Sequence, residues 1–270
     1  MPSNHPTREM FAQATGGEVR TAVREGRWAR ATHGLARGYV QANLAIVPER
    51  FAFDFLRFCQ RNPKPCPLLE VTDPGDPEAK RSAPGSDIRT DLPGYRIYRD
   101  GKLVEEVRSI EELWRPDHVA FLIGCSNSMD EALLAAGIPQ RHLETEEGRI
   151  SVYVSNIACE PVGIFHGPVV VSMRPTRSDC WRGPSRFRRA IRSRMALRST
   201  SATPARSASR ICRPCGGGKF NPVATDEVPV FWGCGVTPQA IAMACGIPEM
   251  ITHAAGHMFV SDLKIAELVE

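Results

Sequence analysis

The chain has no apolar run near the roughly 18 residues that a membrane span needs, so no membrane partner is expected. Its first residues, "MPSNHPTREMFAQATGG", are polar and lack the apolar core of a secretory leader. A disulfide framework is also missing. Nine cysteines are scattered singly, an odd number without paired spacing, and a reducing cytoplasmic setting is expected. Acidic residues are absent from one whole stretch: "RSRMALRSTSATPARSASRICRPCGGGK", from Arg192 to Lys219, has neither Asp nor Glu and no apolar periodicity.

That stretch distorts the net charge of +4. From Arg174 to Arg213 there are 12 Arg, no Lys and one acid, Asp179, a local +11; the other 22 basic and 29 acidic residues give −7. Basicity confined to one segment is not a distributed nucleic-acid face, so no nucleic-acid partner is expected; the rival reading is a module that binds through the Arg-rich arm alone. The 270 residues, 42% hydrophobic and 24% charged, suffice for one large globular domain or two ordinary ones.

The pattern up to residue 30 predicts two short helices. "GYVQANLAIVPERFAFDFLRFCQRN" continues with helical spacing that places Phe51, Phe55, Phe58 and Cys59 on one face. Pro63, Pro65 and Pro67 stop it, because proline cannot continue a helix. "LLEV" reads as a strand, and "YRIYRDGKLVEEV" as a hairpin turning at Asp100-Gly101. "ISVYVSNIAC" and "GPVVVSMRP" read as further strands.

An internal echo is the most informative feature. "VAFLIGCSNSMDEALLAAGIP" (119–139) aligns without gaps with "VPVFWGCGVTPQAIAMACGIP" (228–248), with seven identities in 21 positions, including both Gly-Cys pairs. Each copy predicts a buried strand, a Gly-Cys turn and a capped helix, with Ser128 and Glu131 at capping-box spacing in the first and Thr237 capping the second. Such turns aim backbone N–H groups at one place, so the two copies form either a shared anion site or two ordinary strand–helix units.

Several side chains qualify for chemistry. Asp87, Arg89 and Asp91 in "DIRTDLP" share one face if the segment is extended, as a substrate-binding cluster or a surface salt-bridge group. Cys125 and Cys234 at the turns are candidate nucleophiles or small packing residues, and Ser126 and Thr237 candidate donors to a bound anion. His142 in "RHLE", with His253 and His257 in "THAAGH", are candidates for acid–base work or substrate binding. A His pair four apart suggests a metal only on a helix; Ala254-Ala255-Gly256 argues against one, so no metal is expected. Arg174, ending an apolar strand, is a candidate anion ligand.

The stretches "GYVQANLAIVP", "FCQRNPKPCPLLEV", "DIRTDLPGYRIY", "FLIGCS", "RHLE", "GPVVVSMRP", "VPVFWGCGVTPQ" and "ITHAAGHMFVSD" together resemble a bacterial hydro-lyase family related to D-glutamate cyclase. The resemblance implies an α/β fold, with a larger domain (1–147 and 226–270) carrying both repeats and a smaller inserted α+β domain (148–225). It implies elimination of water from a small acidic substrate, cyclisation of D-glutamate included. In that chemistry Arg89 and Arg174 would clamp a carboxylate, and Asp87, Asp91 or His142 would take the amine proton. No cofactor is expected, and the chain is compatible with a homo-oligomer.

The resemblance breaks between Pro175 and about Gly217. Codons can be chosen for Arg194 to Arg213 that, read one frame over, give "HGAPVHFGDPGSIGIADLP", a peptide like the family's own at this place. The stretch is therefore read as out-of-frame translation, disrupting the smaller domain from about residue 176. A catalytically dead product is the corresponding alternative.

Overall fold

Asp100 and Gly101 both adopt positive φ, 47° and 72°, as a two-residue hairpin turn demands. They join strand β3 (Tyr95–Arg99) to β4 (Lys102–Val107). The computed structural model describes residues 6–135, 138–144, 150–178, 213–214 and 222–268. Ile191, Leu197 and nearly all of the Arg-rich stretch lie outside them, as do Cys212 and Cys215.

The two N-terminal helices form: a 3-10 turn at Glu9–Phe11 and helix α1 at Gly16–Arg24, whose start is closed by a reciprocal Thr15–Glu18 capping box. Helix α2 spans Glu49–Arg61 and buries Phe55, Phe58 and Cys59, the face expected from their spacing. Phe55 meets Phe121 edge-on at 4.8 Å and Phe165 at 5.1 Å.

The residues just before α2 overturn the helical expectation. Tyr39–Pro48 is strand β1, the centre of a seven-stranded sheet. Val40 to Val47 are all buried, because one face (Ala42, Leu44, Ile46) packs on Ile88, Tyr95 and Phe259 and the other (Ala45, Val47) on Phe55 and Phe58. A strand buried on both sides shows no alternation, so its continuous apolar run imitates a helix.

The fold is α/β, with all named strand pairings antiparallel. In the large sheet the order is β2 (Leu68–Val71), β5 (His118–Gly124), β1, β10 (Glu249–His253), β3 and β4, with β11 (Phe259–Lys264) also paired to β1. The second sheet runs β8 (Arg213–Pro214), β6 (Ser151–Ala158), β7 (Pro168–Arg177) and β9 (Glu227–Gly233). The first repeat's strand, β5, thus lies in one sheet and the second's, β9, in the other. Helix α3 (Asp130–Ala135) follows β5, and helix α4 (Thr237–Cys245) follows β9 and ends at Gly246 in the left-handed conformation, φ 60°. Among the described residues no helix is long and apolar enough to cross a membrane.

Candidate active site

The Gly-Cys turns meet. A Cβ placed on Gly235 would overlap the Asn43 amide and stand 2.8 Å from the Gly124 carbonyl oxygen, so the second turn lies directly against the first. Asn43 donates from Nδ2 to the carbonyls of Ile123 (3.3 Å) and Gly124 (3.1 Å), fastening β1 to the first turn. From the second turn Gln239 donates through Nε2 to the His253 carbonyl at 2.9 Å, tying α4 to the end of β10.

Cys125 and Cys234 are both buried at this seam. The Cys125 thiol is pushed up to about 12, by burial first and then by the neighbouring Cys234. Held so, Cys125 stays a neutral thiol near pH 7, which fits the packing alternative better than the nucleophilic one. Thr237 is fully buried, accepts the Val170 N–H at 3.1 Å and donates to the Cys234 carbonyl at 2.7 Å. It is the first residue of α4, not its cap, and its hydroxyl holds the turn to β7 instead of facing a ligand. Ser128 also departs from its expected capping role: its hydroxyl accepts the Gln41 N–H at 3.1 Å.

Beside the seam lies a buried polar network centred on Asp130. Arg174 donates to Asp130 Oδ1 from Nη2 at 2.9 Å and from Nε at 3.2 Å. His142 Nε2 stands 2.7 Å from Asp130 Oδ2. Arg174 Nη1 donates to the Ser172 hydroxyl at 3.3 Å, Nη2 to the Ser126 carbonyl at 3.1 Å, and the guanidinium lies over the Trp232 ring, 5.1 Å from its centroid. The Ser126 and Ser172 hydroxyls are 3.4 Å apart. Burial pushes the Asp130 carboxyl up, but the Arg174 charge and the His142 hydrogen bond outweigh it, and the net shift is downward. Asp130 is therefore ionised, which makes it the acceptor and places the shared proton on His142 Nε2. Arg174, expected as an open carboxylate clamp, has most of its donors occupied by these internal partners. A small cleft opens between segment 139–142 and residues 173–175 of β7, with His142 and Arg174 in its lining.

The other candidates group elsewhere. Asp87, Arg89 and Asp91 do not lie in an extended segment; the N–H groups of Thr90 and Asp91 both bond the Asp87 carbonyl, closing a turn. Arg89 pairs with Asp87 in two bonds of 2.9 and 2.8 Å. Asp91, its side chain wholly buried, receives Arg24 bidentately at 2.9 Å and the Asp87 N–H at 2.8 Å, with Arg20 at 3.7 Å. Those bonds hold the turn to α1. His253 is buried on β10 and accepts the Leu44 N–H through Nδ1 at 3.2 Å; His257 follows in a turn, not a helix, with Nδ1 2.8 Å from the Ala255 carbonyl. Among the described residues no group of three His, Cys, Asp or Glu is placed to hold a metal.

Sequence reasoning passed over Asp130, Ser172, Trp232, Asn43 and Gln239. An acid in the first turn of the helix after a Gly-Cys turn was the available signal for Asp130. Apart from Ser172, two residues before it on β7, the partners of Arg174 come from other elements, and no spacing announces them.

Comparison with known proteins covers this whole region. The D-glutamate cyclase family model matches residues 119–262, from β5 through β11. A protein of Stutzerimonas stutzeri is 48% identical over 257 residues, 93% of this chain and 94% of that protein. One from Rubrobacter xylanophilus is 49% identical over 258 residues, covering 93% and 96%. A third, from Bacillus licheniformis, is 46% identical over 254 residues, covering 92% and 94%. All three carry the name "Putative hydro-lyase". By the model match and by these full-length relatives, the chain belongs to the D-glutamate cyclase family.

Proposed function

We propose that this protein is a hydro-lyase that closes an acidic amino acid on itself, turning D-glutamate into 5-oxo-D-proline and water. The observation that carries the reading is the ionised Asp130 shared between His142 and Arg174, beside the seam of the two turns and inside the family match. The substrate reacts as free amine and protonated side-chain carboxyl, its ammonium having passed one proton to that carboxylate, and the amine attacks the carboxyl carbon to form a C–N bond. His142 takes the amine proton and returns it to the departing hydroxyl as the C–O bond breaks, so one water leaves. Asp130 fixes the His142 tautomer and balances the imidazolium that forms transiently. Among the described residues four of the five Arg174 N–H groups are engaged, leaving one on Nη1 for the developing oxyanion.

The out-of-frame reading of 176–217 belongs to the same proposal. The peptide recovered in the other frame carries two His and two Asp, proton-transfer groups that the present residues do not replace. The chain as it stands is then impaired. The test is to assay this chain and its frame-restored version on D-glutamate and related dicarboxylates, following loss of one water by mass. Turnover by the restored version alone is expected. Failure of both on every acidic amino acid would sink the substrate assignment.

A further inference from the structure

Asn43 sits in a motif, "VQANL", that the proton-transfer network does not use. Its residue is 2% exposed. The orientation of its carboxamide is unambiguous: Nδ2 faces the Ile123 and Gly124 carbonyls, so a flipped amide would set oxygen against oxygen twice. The oxygen Oδ1 therefore points the other way, and no donor among the described residues reaches it. It is not one of the fully enclosed side-chain atoms that lack a partner, so it keeps some surface of its own.

The surroundings are those of a ligand subsite. Gly235 is pressed on the Asn43 amide, where any side chain would displace it. Helix α4 begins just beyond, its N-cap Val236 provides no side-chain cap, and among the described residues the N–H groups of Gly235 and Val236 have no acceptor. Cys125 and Cys234, one at each turn, are both buried. One nearly buried acceptor beside N–H donors that lack an acceptor at a helix start matches a zwitterion: N–H groups toward the oxygen, carboxylate toward the helix.

We infer that Asn43 is the residue that recognises the amino group of the substrate, through an N–H···Oδ1 bond at the seam of the two Gly-Cys turns. This inference rests on the amino-acid reading above and assigns it a specificity-determining residue. Buried acceptors left without their donor discriminate strongly, so a ligand lacking the amine should bind about 10–100-fold more weakly.

The experiment is calorimetric binding of D-glutamate, glutarate and N-trimethyl-D-glutamate to the full chain and to Asn43→Ala and Asn43→Ser. Glutarate lacks the nitrogen; the trimethyl compound keeps the charge and lacks the N–H. Expected is tight binding of D-glutamate only, with the preference over glutarate falling below about 3-fold in the variants while glutarate affinity is kept. An unchanged preference in a folded variant overturns the inference. If neither variant folds, the unaltered chain decides: trimethyl-D-glutamate binding as well as D-glutamate overturns it, and binding like glutarate supports it. No binding of any of the three also overturns it. The two readings separate cleanly. Amine discrimination without water loss by the frame-restored chain removes the cyclase and leaves the Asn43 site; water loss with undiminished discrimination in the variants does the reverse.

Discussion

Asp130 and Arg174, 44 residues apart in sequence, meet at 2.9 Å with both side chains almost wholly buried. A buried pair of this kind is costly to halve, because the surviving charge has no water to turn to. The same carboxylate holds His142, so changes at Asp130 reach both partners at once.

Asp130→Asn keeps the shape and removes the charge. It should lower kcat/KM of the frame-restored chain by about 10²–10⁴-fold, with His142→Gln giving a similar loss and the double variant losing little more. Steady-state kinetics of the three variants checks this; additive losses would show that the two groups do not act as one unit.

Asp91 is predicted to be structural. Asp91→Ala strips Arg20, Arg24 and the Asp87 turn of their common acceptor and should destabilise the fold by about 3–5 kcal/mol in urea titrations. Arg24→Ala, whose side chain is 44% exposed, should cost far less. Loss of ligand binding in Asp91→Ala at full stability would reassign it to the site.

Acid should weaken the fold in two steps. Burial pushes His253 down to about 4, below its unfolded value of about 6.5, so the unfolded chain binds the extra proton first. Stability is complete above the unfolded value and declines as pH falls from there toward 4. Glu249, held at about 2 by the hydrogen bond from His118 and by Arg115, adds a further loss at still lower pH. Urea midpoints measured from pH 7.5 down to 4 should fall in the parent and flatten in a folded His253→Gln.

Gly235→Ala tests the contact between the turns. The added methyl meets the Asn43 amide and the Gly124 carbonyl, and should lower stability by about 1–3 kcal/mol while weakening D-glutamate binding. Ala at Gly17, where an added Cβ meets only an Arg20 tip at 3.7 Å, is the control expected to be mild.

Much of this architecture was legible locally. The α2 face, its proline stop, the Asp100-Gly101 hairpin and the strand–turn–helix order of the second repeat all follow from residues within a few positions of one another. Periodicity, φ preference and capping act over one or two turns of chain, so they can be read without knowing the fold. Gly124, at the turn of the first repeat, lies against Gly235 at the turn of the second.

Tertiary structure alone decided the rest. Whether 39–48 was helix or strand depended on three pairing strands and two core faces supplied by distant segments. Asp87 and Arg89 satisfied each other, Asp91 went to α1, and Arg174 found Asp130, Ser172, Ser126 and Trp232 across three elements. A charged side chain shows in sequence what it can bond but not what will be beside it; burial of that charge makes the choice of partner a property of the folded chain.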